Sequence, residues 1–305
     1  HLHNPPQAIH RICQVVVPDI RIACDAVAPL VARHCRNATD RAGTSVAQFL
    51  HRYLTADGLP KLKLQARHQG HTRLTHIDKG TLAGLPEGRQ RYGLFTNEAG
   101  GILDDLMIAN RGDHLFLVVN AACKDHDFAH LSKHLGEHCE VQMIDDRALL
   151  ALQGPTAGAV MKRLAPASAD LVFMRAASME VDGIPCFVSR SGYTGEDGFE
   201  ISVPEESSET LACSLLAQAD VEPVGLGARD SLRLEAGLCL YGHDLDPETT
   251  PVEANLKWAL SKSRRTGRRK GGFPGADIIL KQLAKGTRRK RVGILPEGKA
   301  PIREG

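Results

Sequence analysis

From residue 85 onward, apolar and polar positions fall into short, regular runs. RYGLFT (91–96) alternates as a strand does, and NEAGG (97–101) is a turn rich in residues that tolerate positive φ. Two more strands follow at 102–110 and 114–120, either side of an Arg-Gly-Asp turn. The 3.6-residue period then takes over: 125–138 reads as a helix with Phe128, Leu131 and Leu135 on its apolar stripe. Strands are predicted at 147–153, 178–181, 185–190 and 198–203, and helices at 157–164, 206–219, 228–236 and 276–283. Strand pairs interleaved with single helices give an α+β fold, with helices on one face of largely antiparallel sheets. A last strand is expected at 291–295.

The first 84 residues lack this regularity. Short helical patterns occur at 22–33 and 45–54. Cys13, Cys24 and Cys35 recur at an 11-residue interval that could share a helix face, although chance spacing is the simpler account. Eight cysteines without a CxxC pair read as reduced thiols in a cytosol-like compartment. No apolar run approaches the ~20 residues that cross a bilayer, so no membrane partner is expected.

A net charge of +2 conceals an asymmetry. Residues 256–305 carry 15 Lys and Arg against Asp277, Glu297 and Glu304, a net of +12, and the first 255 residues hold a net of −10. The basic end implies an anionic partner. No aromatic residues interleave the basic run at 262–272, so a solvated or protein-docking face is favoured over nucleic acid. Four histidines, His126, His130, His134 and His138, follow one another at four-residue intervals. The row drifts by about 40° per step, so the four cannot converge on one ion, and a polar helix face is favoured over metal.

Three segments carry candidate chemistry. SGYTGEDGFE (191–200) has three glycines and three carboxylates but neither a GxGxxG pattern nor a P-loop lysine. A carboxylate on the strand leaving such a loop can clamp the paired N–H donors of an aminopyrimidine or guanidine-like edge, and an acidic surface hairpin is the plain alternative. GGILDDL (100–106) puts Asp104 and Asp105 on opposite faces of a strand, one solvated and one turned inward. In VGLGARDSLRLEAGLCLYG (224–242), Arg229 and Arg233 can share one helix face, unless they pair with Asp230 or Glu235.

RYGLFTNEAGGILDDLMIAN, SGYTGEDGFEISVP and VGLGARDSLRLEAGLCLYGHDLDPETTPVEANLKW together resemble the aminomethyltransferase (T-protein) family of the glycine cleavage system, in order and in spacing. The resemblance covers roughly 85–298. It implies a folate-binding fold of antiparallel sheets with helices, in ferredoxin-like halves, followed by a small β-barrel. It also implies a reaction: the one-carbon unit of an S-aminomethyl group on the lipoyl arm of the H-protein passes to tetrahydrofolate, and ammonia is released. No metal is needed. Tetrahydrofolate is then a substrate, and the lipoylated H-protein is the partner, whose typical acidity would suit the basic end.

By motif, Glu200 matches the carboxylate that holds the pterin's aminopyrimidine edge, and Arg229 matches the substrate-binding arginine. Asp105 matches the acid beside the reactive folate nitrogens, with Asp104 the runner-up. Tyr92, Asn120 and Tyr193 are expected to line the pterin pocket. The family's DVSHM-like opening motif has no counterpart in 1–84, so this stretch is expected to be an aberrant or disordered segment rather than family sequence. Residues 85–260 form the expected folate-binding core. Residues 261–305 form a basic linker and the start of a largely missing barrel domain, so the chain by itself is expected to be unstable or inactive. The alternative is a binding-only or inactive folate-binding fragment. Folate domains of dimethylglycine and sarcosine dehydrogenases, and folate-binding relatives of iron–sulfur assembly, fit less well: no GxGxxG half precedes the motifs and no KGC motif is present. The expected compartment is bacterial cytoplasm or mitochondrial matrix.

Overall fold

The computed structural model describes residues 13–16, 61–66, 85–136 and 139–294. The helical patterns at 22–33 and 45–54, and Cys24 and Cys35, lie outside the described residues. Among those described, 13–16, 61–66, 85–92, 106–136 and 139–238 form one compact unit, and 93–105 with 239–294 form a second.

Eleven strands occur among the described residues. They are β1 (Cys13–Val16), β2 (Lys61–Ala66), β3 (Gln90–Thr96), β4 (Ile102–Asn110), β5 (His114–Val118) and β6 (Cys139–Ile144). Then follow β7 (Arg147–Gln153), β8 (Ala176–Val181), β9 (Ile184–Ser189), β10 (Gly198–Pro204) and β11 (Val221–Val224). The α-helices are α1 (Lys124–Leu135), α2 (Ala157–Leu164), α3 (Ser208–Leu216), α4 (Leu226–Glu235), α5 (Lys262–Arg265) and α6 (Ala276–Lys285). One sheet has the order β11-β1-β7-β10-β9-β8 and the other β3-β4-β5-β2-β6. All the pairings with a defined register are antiparallel except β1 with β11.

Period-two alternation decides which residues of the first sheet reach the site. Leu150 and Leu152 of β7, Cys186 and Val188 of β9, and Phe199, Ile201 and Val203 of β10 all turn to one face. There they pack with Val160 and Met161 of α2 and Leu211, Ala212 and Leu215 of α3. Each such large apolar side chain contributes about 1.5–3 kcal/mol on burial. The residues between them, Leu149, Phe187, Ser189, Glu200 and Ser202, must therefore face the other way.

The second unit is anchored by the double-glycine turn. Asn97 closes it by accepting the Gly101 N–H on its side-chain oxygen at 2.9 Å. A Cβ on Gly101 would lie 1.7 Å from the Pro247 carbonyl oxygen, and one on Gly275 would lie 2.3 Å from the Gly100 Cα. The Ile102 N–H then donates to the carbonyls of Asp246 and Thr249, which sets where β4 begins.

The basic end is less naked than its composition suggests. Arg264 is buried and donates to the Gly271 carbonyl at 2.9 Å, Arg289 pairs with Glu253 at 3.2 Å, and Arg291 pairs with Asp244 at 3.0 Å. The strand expected at 291–295 is not formed by its described residues, 291–294. Arg291 instead donates its N–H to the Glu253 carbonyl. On α1 the buried residues are Asp127, Leu131 and Leu135, so Asp127 takes the inward place that the stripe assigned to Phe128. No helix among the described residues is long and apolar enough to cross a membrane.

Candidate functional site

The outward row of β7, β9 and β10 forms one wall of a small hollow, in which Leu149, Phe187, Ser189, Glu200 and Ser202 face Met107, Ala109, Phe116, Val118 and Gln90. The hollow is mostly apolar, and Glu200 brings the formal charge to it. The alternation that buries Phe199 and Ile201 is the reason the carboxylate points there.

A serine relay holds that carboxylate. Ser191 donates its hydroxyl to Glu200 Oε2 at 2.8 Å, and the Ser189 and Ser191 hydroxyls share a 2.9 Å hydrogen bond. Glu200 Oε1 has no hydrogen bond to a described residue and stays available as an acceptor.

The loop carrying Ser191 is organised around Gln153, which is 1% exposed. Its amide nitrogen donates to the carbonyls of Leu152 and Ser191 at 3.1 Å and of Phe199 at 3.4 Å. Its oxygen accepts the Tyr193 N–H and the Thr194 hydroxyl, each at 3.2 Å. Two glycines of the motif are required by this amide. A Cβ on Gly192 would fall 1.6 Å from Gln153 Oε1, and one on Gly198 would fall 2.2 Å from Nε2. At the loop's far side Arg190 grips Asp197 with two bonds of 2.9 and 2.7 Å, and Asp197 in turn holds Arg190 above its ordinary pKa. Of the three acids in SGYTGEDGFE, Asp197 is thus structural, Glu196 is exposed, and Glu200 faces the hollow.

Arg229 of α4 lies with its guanidinium 4.7 Å from the centre of the Tyr193 ring. Burial lowers its pKa, and the nearby Glu200 and Tyr193 oppose that shift. It makes no hydrogen bond to a described residue, so its N–H donors remain for a ligand. Arg233 behaves differently: it is buried and bound to Asp230 at 2.7 Å, the pairing raised as the plain alternative for this helix.

The structure therefore brings Glu200, Tyr193 and Arg229 together in the first unit. Tyr92 lies on β3 and Asn120 just beyond β5, both half-buried in that unit, and neither lines the hollow. Asp104 and Asp105 lie on β4 within the second unit; Asp104 is fully buried and Asp105 half-buried. Reasoning from sequence missed Gln153 and the two serines. A polar residue closing an otherwise apolar strand, RALLALQ, was the one available signal.

The histidine row forms a stack rather than a cage, with ring centroids 6.2 Å apart for His126 and His130 and 4.7 Å apart for His130 and His134. Among the described residues, no group of three or more His, Cys, Asp or Glu could hold a metal ion.

Residues 68–264 match the family model described as the GCVT N-terminal domain. The match begins ahead of residue 85, where the regular pattern of the sequence starts. The chain is 46% identical to the mitochondrial aminomethyltransferase of Dictyostelium discoideum over 261 residues, covering 79% of this chain and 64% of that protein. It is 47% identical to the mitochondrial aminomethyltransferase of Solanum tuberosum over 230 residues, covering 72% of this chain and 56% of the relative. It thus spans less than two thirds of either relative. The crystal structure of glycine cleavage system aminomethyltransferase T from Bartonella henselae superposes with a TM-score of 0.66 at 37% identity, covering 84% of this chain and 74% of that one.

Proposed function

This chain belongs to the aminomethyltransferase family defined by the GCVT N-terminal domain, and on that premise we propose that it binds tetrahydrofolate and transfers to it the one-carbon unit of an aminomethyl group carried by a lipoylated H-protein. The observation that carries this reading is the placement of Glu200. A carboxylate, pinned through one oxygen by Ser191, stands in an otherwise apolar hollow with its other oxygen open. Such a group suits the paired N–H donors of an aminopyrimidine, because a carboxylate accepts only and its charge strengthens each bond. Apolar walls of Met107, Phe116 and Phe187 suit the flat ring beside those donors.

In this reading Arg229, stacked on Tyr193, presents unsatisfied N–H donors to the incoming substrate. Asp105 is the acid that assists the transfer. The carbon–sulfur bond of the aminomethyl adduct breaks, the folate nitrogens take the carbon, ammonia leaves, and the carrier sulfur ends as a thiol. A carboxylate close to the reacting nitrogens favours the positive charge that develops on carbon and nitrogen along the way. The basic surface of residues 262–270, apart from the buried Arg264, is the docking face for an acidic H-protein. The mitochondrial matrix is the compartment that the relatives named mitochondrial favour.

The test is an Asp105→Asn variant of the full chain, titrated with tetrahydrofolate and then supplied with aminomethylated H-protein. Turnover should fall about 100-fold or more, as is usual for a lost acid–base or electrostatic group, with folate affinity nearly unchanged. Parallel losses of binding and turnover would make Asp105 a structural residue. Folate binding by the unaltered chain without any turnover would favour the binding-only alternative.

A further inference from the structure

A second charged feature shares the sheet face that carries Glu200. The register sets Ser178 of β8 opposite Phe187 of β9, and Phe187 opposite Ser202 of β10, so the three side chains stand in one row on the same face. The row at Ala176, Ser189 and Glu200 lies two residues along, about 7 Å away. Each end of the first row holds an arginine. Arg111 donates to the Ser178 hydroxyl at 2.8 Å and lies 4.4 Å above the centre of the Phe187 ring. Arg147 donates to the Ser202 hydroxyl at 2.9 Å and to the Ser202 carbonyl at 2.6 Å. Strands about 4.8 Å apart put the two serine anchors about 10 Å apart, with the Arg111 guanidinium leaning inward over the ring between them.

Neither arginine forms an ion pair with a described residue. Asp113, the acid whose charge favours protonated Arg111, is mostly exposed and bonds His114 instead. Both arginines are half-buried, and burial first, then the charge of Arg147, holds Arg111 below its ordinary pKa. Two like charges secured by neutral partners, one of them over an aromatic ring, are an arrangement that an anion would relieve.

We propose that Arg111 and Arg147 form an oxyanion-binding subsite on the rim of the Glu200 hollow, for a carboxylate or phosphate group. Phe187 and Ser202 line the hollow and also hold the two arginines, so a ligand lying along the sheet can meet Glu200 with N–H donors and the arginines with an anionic end. The subsite's position on the ligand rests on the folate reading above; the anion chemistry does not. An anionic group free in solution would use the same donors.

Two arms of one experiment separate these sources. The first titrates inorganic phosphate at constant ionic strength and follows the unfolding temperature of the unaltered chain, of Arg111→Gln and of Arg111→Gln/Arg147→Gln. Phosphate should protect the unaltered chain and lose most of that effect in both variants. Arg111→Gln alone keeps the test decisive if losing the Ser202 bonds impairs folding of the double variant. The second arm compares tetrahydrofolate, which carries carboxylates, with 6-methyltetrahydropterin, which has the same ring and none. A preference of about tenfold or more for tetrahydrofolate, falling toward unity in Arg111→Gln, assigns the subsite to the ligand's own carboxylates. Equal binding of the two pterins together with arginine-dependent protection by phosphate assigns it to a free oxyanion. Failure of both pterins to bind would sink the folate reading while the phosphate arm still decides the subsite. Protection by phosphate that is the same in all three proteins, or absent from all three, with no change in the pterin preference, overturns the proposal.

Discussion

Replacing Glu200 with glutamine should lower affinity for tetrahydrofolate about 100-fold or more, because hydrogen bonds to a charged acceptor contribute roughly 1.5–3 kcal/mol each and two are at stake. The substitution is close to isosteric. It leaves the Ser191 hydroxyl an oxygen to donate to, so the loop of residues 191–197 keeps its anchor. It also turns an NH2 group toward ligand N–H donors, which adds repulsion to the lost attraction. Calorimetric titration against tetrahydrofolate reads the change, and an unaltered circular dichroism spectrum confirms that the fold survived. Affinity within about threefold of the unaltered chain would remove Glu200 from the binding site and with it the main support for the proposed function.

Gln153→Leu is expected to have the largest effect on stability. Leucine fills nearly the same volume, so loss of packing is small, but the Ser191 carbonyl, the Tyr193 N–H and the Thr194 hydroxyl each lose a buried partner. Stranded buried polar groups cost about 1–3 kcal/mol apiece, giving about 3–9 kcal/mol in all and a fall in Tm of about 10 °C or more for a unit of this size. The loop should loosen as well, so folate affinity falls with stability, whereas Glu200→Gln changes affinity alone. Scanning calorimetry settles it. A Tm shift below about 2 °C would mean that the Arg190–Asp197 clamp holds the loop unaided.

The fold class was legible in the sequence wherever one periodicity governed a whole element. The strands at 102–110 and 147–153 and the helix at 157–164 run over the expected residues, because their apolar spacing has one solution. Four described strands of the first unit, β1, β2, β6 and β11, were missed, and the last two show different reasons. CEVQMI of β6 does alternate, but it follows a helix so closely that the helical period masked it. VEPV of β11 is only four residues long and contains a proline, and its parallel partner lies over two hundred residues away. The helix α1 shows a finer limit. Hydrophobicity placed Phe128 inward, but buried Asp127 occupies that position, and no periodicity argument anticipates a buried acid.

The candidate site was legible in part. The motif resemblance singled out Glu200, Arg229 and Tyr193, which the structure gathers in one unit. The serine relay and the Gln153 hub depend largely on pairs up to 46 residues apart, which alternation cannot report. Arg111 and Arg147 drew no attention either. Each sits in a polar turn or at a strand start, where an arginine is ordinary, and only the register of β8, β9 and β10 sets them along one row.

The double-glycine corner has a bearing on how the protein is made. Gly100 and Gly101 press directly on backbone at 247 and 275, so the described part of the second unit is stitched from two pieces of chain with most of the first unit emerging between them. During synthesis the early piece has no mate until the ribosome has passed residue 247, long after its own residues have left the exit tunnel. A nascent chain halted at 238 would carry the piece 93–105 without the backbone that seats it, an opening that chaperones or proteases would find first.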